Sequence, residues 1–457
     1  MLQRIKAQLN KGFVRNVLLV AGGTAGAQAI TMAFAPIITR LYGPEAFGLQ
    51  AAFVALLAVL LPISALTYPI AMVLPKDDRA ATTLGWLSLT LASLLSLLLF
   101  LLLVFFLEPL ALLLNMSDIQ PFLWLLPLAL WLAAVQQILS QWVIRQQLFK
   151  ISAHASIWQA LILNISKSGI GLLTPVAGVL IWLSALSAGI NAAIMWLGLR
   201  FTTKLKPAAA AHHSMASEPF NDSTAVVGAG YASRLIGKTG SQFKDMLHLA
   251  KAYGDFPIFR APQVLLNAIS HSVPVILLGI FFGPAAAGFF GLGKTVLLLP
   301  ATLIGKSVGD VFYPRITKAA QQQQAIRPLL LKASLLMAAF GLPVFALVMA
   351  FGPWLFGWVF GEQWQQAGEY ARWMALWMFF AFLNRPAVAA MATLALQKSL
   401  LYFELSSLLL RLLALYLGFV VFASDLVAVA LFSILGALVN LLLVLYTLAK
   451  ANAHTGR

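Results

Sequence analysis

The feature that most constrains this chain is an apolar run, LSLTLASLLSLLLFLLLVFFL (residues 87–107), in which no side chain is charged. A run of about 20 apolar residues is long enough to cross a lipid bilayer as a helix. Hydrophobic residues make up 61% of the 457 residues and charged residues only 10%, whereas about 25% of a soluble domain is charged. We therefore expect an all-α protein that crosses a membrane many times.

Similar apolar stretches recur along the whole chain and predict about 12 membrane spans. These lie at residues 16–40, 46–73, 82–107, 121–143, 155–174, 178–199, 258–282, 286–312, 329–351, 366–396, 400–420 and 427–449. The first of them is too long for the apolar core of a secretory signal peptide, so we expect it to be retained.

The charge pattern of the connecting segments predicts the orientation of the chain. Lysine and arginine gather in every second segment, as they do in cytoplasmic loops. The longest of the other turns, residues 108–120, has only Glu108 and Asp118 as charged side chains. Both termini are therefore expected in the cytoplasm. Topology accounts for the net charge of +16 without a nucleic-acid partner.

One short motif occurs twice, about half a chain apart. GPEAFG (residues 43–48) and GPAAAG (residues 283–288) share the pattern G-P-x-x-x-G at an offset of 240 residues. Each copy falls between the first and second span of a set of six, which predicts a parallel duplication about an axis along the membrane normal. The expected organisation is a six-helix bundle at 1–200, a partly disordered cytoplasmic linker at 201–256, and a pseudo-symmetric six-helix bundle at 257–457.

Several kinds of chemistry are excluded by the residues. The chain has no cysteine, so it has no disulfide and no thiolate metal site. GKTG at residues 237–240 lacks the earlier glycine of a phosphate-binding loop, because position 232 is alanine. We predict no metal and no cofactor. An enzyme that joins lipid-linked sugars would need acid and base groups in a sizeable outside loop, so no catalytic residue is expected.

Charged residues inside the predicted spans are the most informative side chains. Each costs ~2.5–3.5 kcal/mol on insertion scales and tends to face an interior cavity. The basic ones are Arg40, Lys167, Lys294, Lys306, Arg372, Arg385 and Arg411, and the acidic ones are Asp310, Glu369 and Glu404. Helical spacing predicts that Lys306 pairs with Asp310 and that Arg372 pairs with Glu369. The basic surplus predicts a cationic, water-filled chamber.

Polar residues also form stripes along two predicted helices. The stripes consist of Arg260, Gln263, Asn267 and His271 on the seventh span, and of Gln137 and Gln141 on the fourth. Residues at these spacings share one face of a helix. They indicate either a polar wall of the chamber or hydrogen bonds between neighbouring helices.

Four longer stretches resemble a known family. PIITRLYGPEAFGLQAAFVALLAVLLPISALTYPIAMVLPKDDRAA (residues 36–81) is similar to the Wzx-like oligosaccharide flippases of the multidrug/oligosaccharidyl-lipid/polysaccharide (MOP) exporter superfamily. DFPIFRAPQVLLNAIS (255–270), FFGPAAAGFFGLGKTVLLLPATLIGKSVGDVFYPRI (281–316) and GEYARWMALWMFFAFLNRPAVAA (368–390) are similar too. The resemblance covers most of the chain except the linker.

This resemblance implies a fold, a cargo and a location. The fold would be two MATE-like bundles that form a V around a cationic cavity. The cargo would be an undecaprenyl-diphosphate-linked oligosaccharide, moved from the inner to the outer leaflet of the bacterial inner membrane for O-antigen, capsule or exopolysaccharide synthesis. Implied partners are membrane lipids and the polysaccharide polymerase and chain-length machinery.

The resemblance and the charge pattern together assign roles to residues. The expected diphosphate ligands are Arg40, Lys167, Arg260, Lys294, Lys306, Arg372, Arg385 and Arg411, with Lys294, Arg385 and Arg40 foremost. Asp310, Glu369 and Glu404 are candidates for counter-ion exchange. Two alternatives stay open: a MATE-like antiporter of drugs or cations, and a flippase for a lipid-linked peptidoglycan precursor.

Overall fold

The computed structural model describes residues 2–113, 117–210, 239–298, 325–394 and 396–453. Within these ranges the chain is helical with short turns and contains no β-strand, as the composition predicts. The helices of the first half are α1 (Leu2–Leu41), α2 (Pro44–Ser64), α3 (Tyr68–Ala71), α4 (Asp78–Leu113), α5 (Gln120–Leu123), α6 (Leu125–Arg145), α7 (Phe149–Leu173) and α8 (Ala177–Ala210).

A linker helix, α9 (Thr239–Ala252), and a π-helical turn (Phe256–Arg260) lead into the second half. The helices of the second half are α10 (Ala261–Phe282), α11 (Pro284–Leu298), α12 (Ile326–Phe360), α13 (Gln365–Leu383), α14 (Arg385–Thr393), α15 (Gln397–Val420) and α16 (Asp425–Ala453).

The helices identify a multi-pass membrane protein. Within the described ranges, eight helices are long and apolar enough to cross a bilayer, and the bent pair of α13 and α14 makes nine. Each of the twelve predicted spans overlaps at least one described helix, and residues 299–312 of the span predicted at 286–312 lie outside the described residues. The three that fall outside the nine lie in α1 and α7, which are rich in glycine and polar residues, and in α11, whose description stops at Leu298. That all twelve cross the bilayer stays a prediction.

The two halves repeat one packing pattern. In the first half α1 packs on α7, α4 on α6, and α8 on both α6 and α7. In the second half α10 packs on α15, α12 on α13, and α16 on both α13 and α15. The pairs occupy equivalent places in the order of helices, as expected for a duplicated chain.

The two G-P turns, at residues 43–48 and 283–288, pack directly against each other. A Cβ atom at Gly48 would lie 1.7 Å from the Pro284 carbonyl oxygen, and one at Gly288 would lie 2.1 Å from the Pro44 carbonyl oxygen. Only glycine permits two backbones to approach this closely. The contact is reciprocal, as it must be when two copies of a motif meet across a pseudo-twofold axis.

The linker helix α9 packs against one end of the first half. The Tyr68 hydroxyl donates to the Ala250 carbonyl at 3.0 Å, and the Thr67 hydroxyl donates to the Phe256 carbonyl at 3.2 Å. Apolar side chains of Leu249 and Tyr253 join the cluster around Tyr68. Residues 211–238 of the linker that was expected to be partly disordered (201–256) lie outside the described residues.

Candidate functional site

A cavity of about 870 Å³ lies between the two halves. Helices α1, α2 and α7 supply its wall on one side, and α10 and α11 supply it on the other. It extends from Thr39, beside the G-P turns, to Thr24, about 22 Å along α1 at ~1.5 Å per residue. Its volume falls within the range of ~300–1,000 Å³ that encloses drug-sized ligands.

The end of the cavity at the G-P turns, here called the closed end, is held by hydrogen bonds between the halves. The Thr39 carbonyl at the end of α1 accepts from Gln363 Nε2 and from Trp364 Nε1, both at 2.8 Å. Arg40 Nη2 donates to the Trp358 carbonyl at 2.9 Å. The turn between α12 and α13 thus caps a carbonyl that α1 leaves without a helical partner.

The second half places four basic side chains close together: His271, Lys294, Arg385 and Arg411, here called the basic cluster. His271 and Lys294 line the cavity, and Lys294 Nζ donates to the His271 carbonyl at 2.7 Å. Arg385 and Arg411 are near enough to add positive potential at His271, but neither is among the residues that line the cavity. Four separate helices supply these residues, so only the fold brings them together.

Arg411 is positioned by aromatic rings. Its guanidinium carbon lies 5.2 Å from the centre of the Trp377 ring and 5.4 Å from that of Phe432, distances at which a cation is attracted to a ring face. Its Nε donates to the Ser407 carbonyl at 3.0 Å. The cation is therefore held in place without a carboxylate.

No acidic side chain in the described ranges forms an ion pair with the basic cluster. The ion pairs found there are Arg145 with Asp78, at 2.8 Å, and Arg372 with Glu369, at 3.2 Å. Like charges held together repel, and an anion that enters the cavity would relieve this repulsion. The arrangement can bind an anion such as a phosphate.

The wall from the first half has a different chemistry. It presents the amides Gln28, Gln50, Gln159 and Asn164, here called the amide wall, with Lys167 as its one charged side chain among the described lining residues. Gln50 Nε2 donates to Ser184 Oγ at 2.7 Å. The sequence pattern did not point to these amides, although Ser156, Gln159, Asn164 and Lys167 share one face of α7 at helical spacing.

Other predicted site residues lie elsewhere in the structure. Arg40 lies at the closed end and not among the lining residues. Arg260 Nη1 donates to Gln263 Oε1 at 3.0 Å near the start of α10, and both side chains are exposed. The lining also does not include Gln137, Gln141, Asn267, Arg372 and Glu404. Lys306 and Asp310, with their predicted pairing, lie outside the described residues.

The contacts of Arg372 explain why a charged residue lies within a predicted span. Pro353 interrupts α12, since it lacks the N–H that would bond to the Met349 carbonyl. Arg372 Nε donates to that carbonyl at 2.9 Å. The predicted pair with Glu369 is confirmed, so this cation and this candidate coupling carboxylate are engaged with each other.

Comparison with protein families and curated proteins relates the chain to polysaccharide synthesis. A family model described as "Polysaccharide biosynthesis protein" matches residues 37–236 and 247–369. Teichuronic acid biosynthesis protein TuaB of Bacillus subtilis (strain 168) is 26% identical over 117 residues, which is 26% of this chain. The aligned part spans about a quarter of TuaB, 24% of its length.

Comparison with solved structures relates the fold to transporters. The inward-facing conformation of a multidrug resistance MATE family transporter of the MOP superfamily superposes with a TM-score of 0.67 at 12% identity, over 93% of this chain and 95% of that one. The lipid II flippase MurJ, in an inward closed conformation, gives a TM-score of 0.66 at 11% identity, over 94% and 87%. At these sequence identities, both comparisons show similarity of fold.

Proposed function

Because this chain belongs to the polysaccharide biosynthesis protein family, whose model matches most of its length, we propose that it flips undecaprenyl-diphosphate-linked oligosaccharide across the bacterial inner membrane. The family match and the transporter fold confirm the resemblance to MOP-superfamily flippases. The structural neighbours, a multidrug transporter and a lipid II flippase, support a transport role. The proposal concerns the cargo, its direction and the way in which it crosses.

One observation carries the proposal: two members of the basic cluster, His271 and Lys294, line a cavity between the two halves, and no member forms an ion pair with a described carboxylate. Guanidinium and ammonium groups bind phosphate oxygens through charge-assisted hydrogen bonds. A diphosphate headgroup cannot cross hydrocarbon unaided, whereas the lipid tail to which it is attached is soluble in hydrocarbon. The protein need only offer a polar path for the headgroup and open it alternately to each side.

The position of the closed end relative to the membrane determines which transport state we propose for this structure. If the G-P turns face the outside, as the charge pattern predicts, the closed end seals the outer side and the cavity belongs to an inward-facing state. Two six-helix bundles would then rock so that the contact between Gly48 and Gly288 separates when the inner side closes. An inside-negative membrane potential favours outward movement of the anionic headgroup by ~2.3 kcal/mol per charge per 100 mV, and we propose that it assists transport.

Cysteine labelling tests the orientation. The chain has no native cysteine, so Glu45→Cys in the first G-P turn and Lys76→Cys in the next connecting segment can each be labelled without background. An impermeant maleimide added to intact cells, with the outer membrane permeabilised, is expected to label Glu45→Cys and not Lys76→Cys. The opposite pattern would reverse the proposed direction of opening.

Deletion of the gene tests the cargo. We expect a lipid-linked oligosaccharide to accumulate in the inner leaflet of the host membrane, and reintroduced wild-type protein to restore its export. Accumulation of lipid-linked peptidoglycan precursor instead would favour that alternative cargo. Increased resistance to cationic dyes on overexpression would favour the antiporter. An unchanged lipid pool would overturn the flippase proposal.

A further inference from the structure

Among the described lining residues, the second half presents no side-chain amide that would correspond to the amide wall of the first half. A cargo with two chemically distinct parts would use this difference. A diphosphate offers acceptors only, whereas sugar hydroxyl and acetamido groups both donate and accept. A side-chain amide also both donates and accepts. The basic cluster thus matches one part of a glycan diphosphate, and the amide wall matches the other.

The amide of Gln159 is held in one orientation by α8. Its Nε2 donates to the Ser187 carbonyl at 2.8 Å, and its Oε1 accepts from Asn191 Nδ2 at 2.8 Å. Gln136 Nε2 in turn lies 3.4 Å from Asn191 Oδ1. The bond to Ser187 uses one of the two N–H groups of the Gln159 amide, and the bond from Asn191 uses one of the two lone pairs of its oxygen. One N–H and one lone pair therefore remain for a ligand in the cavity.

Two further amides leave donors and acceptors for the cavity. Gln28 lines the cavity and makes no hydrogen bond to any part of the chain that the structure describes. Gln50 uses one N–H on Ser184, which leaves its carbonyl oxygen and its second N–H. A fixed amide beside partly free ones gives a surface that can distinguish the positions of hydroxyl groups.

We infer that the amide wall, centred on Gln28 and Gln159, is the subsite for the sugar residues of the lipid-linked cargo, while the basic cluster holds its diphosphate. This inference rests on the proposed function and adds to it. Residues of the first half would select the glycan, and residues of the second half would bind the part that every such lipid shares. The cavity volume of about 870 Å³ accommodates a short oligosaccharide and not a finished polymer.

Equilibrium binding to the purified full-length protein in detergent tests this division with two probes. One is the lipid-linked oligosaccharide isolated from the deletion strain, and the other is undecaprenyl diphosphate without sugar. Gln28→Leu and Gln159→Leu are expected to weaken binding of the first probe about tenfold, the loss of roughly one hydrogen bond. Binding of the second probe should change by less than about twofold. Lys294→Ala should weaken both.

Controls separate a local effect from a folding defect. Gln137→Leu removes an amide from α6 that does not line the cavity, and it should bind both probes normally. Gln159→Leu also removes internal hydrogen bonds, whereas Gln28→Leu removes none among the described residues, so Gln28→Leu decides the matter if the former misfolds. Equal effects of Gln28→Leu on both probes, or no effect on either, would overturn the inference and leave the flippase proposal standing. Failure of the wild-type protein to bind either probe would overturn both.

Discussion

The closed end and the cavity wall are both built from equivalent parts of the two halves, yet they have diverged to different extents. At the closed end, Gly48 and Gly288 make the same contact in reverse, and each meets the carbonyl of the other half's proline. At the wall, the first half contributes amides and a single lysine, and the second half contributes His271 and Lys294 of the basic cluster. Symmetry is retained at one level of the cavity and lost at the other.

The difference follows from what each region must contact. The closed end binds a copy of itself, so any side chain that disturbs one motif disturbs the contact of both. In the proposed function, the wall contacts a ligand whose two ends differ chemically. Two identical halves would therefore bind one of these ends weakly. Repulsion between like charges also disfavours basic clusters on both walls.

The largest expected effect comes from Gly48→Ala. The added Cβ would lie 1.7 Å from the Pro284 carbonyl oxygen, so the two backbones must move apart and the closed end cannot form. We expect glycan export to fall by at least about tenfold, since sub-van-der-Waals overlap of this kind costs several kcal/mol. An impermeant maleimide should then label Gln50→Cys in the cavity from outside the cell.

Gly43→Ala is the matched control for this experiment, because a Cβ at Gly43 would meet no atom within 4 Å. The variant changes the same turn without touching the other half. It should export glycan at the wild-type rate. Normal export by Gly48→Ala would show that the reciprocal contact is not needed for transport.

The next largest effect is expected for the double variant Lys294→Ala and Arg385→Ala. It removes two positive charges from the basic cluster, and charge-assisted hydrogen bonds are worth ~1.5–3 kcal/mol each. Export and binding of undecaprenyl diphosphate should each fall at least about tenfold while the protein still inserts. Lys332→Ala, an exposed lysine on α12, should have no effect. Full export by the double variant would remove these two residues from the site.

A smaller effect, on stability rather than binding, is expected for Arg372→Ala. It leaves the Met349 carbonyl, which Pro353 already deprives of a helical donor, without the Arg372 Nε. The exposed bonds of Arg372 to the Met349 and Ala350 carbonyls contribute about 0.5–1.5 kcal/mol each, so the detergent melting temperature should fall while affinity for the diphosphate lipid is retained. In a Pro353→Ala background, which restores an N–H, the same change should cost less. A selective loss of lipid affinity would instead place Arg372 in the binding site.

The smallest effect is expected for Arg40→Gln, which loses the bond to the Trp358 carbonyl. One exposed hydrogen bond contributes about 0.5–1.5 kcal/mol, and two bonds to Thr39 continue to hold the closed end. Export should change by less than about fivefold, with binding of undecaprenyl diphosphate unaltered. A loss of binding as large as that of Lys294→Ala would restore Arg40 to the cargo site.

Several residues of the candidate site could be predicted from the sequence, but the sequence did not show which charged residues lie outside the site. Lys167, His271 and Lys294 line the cavity as expected for charged and polar residues inside spans. Arg40 and Arg372 have the same sequence signature, yet their guanidinium groups bond to backbone carbonyls. A charge inside a span indicates a polar neighbour, and the sequence does not say whether that neighbour is a ligand or a carbonyl. The amide wall was missed because the amides of one face are spread over α1, α2 and α7.

The sequence by itself determined the membrane character, the positions of the helices, the duplicated turn and the excess of positive charge. Each of these depends on residues close together in the chain, through apolar length, proline and glycine signals, and composition. Only the tertiary structure decided that the two G-P turns meet, that Lys294 bonds to the His271 carbonyl, and which face of α7 lines a cavity. These depend on the tilt and rotation of each helix against partners distant in sequence, and local patterns do not encode either quantity.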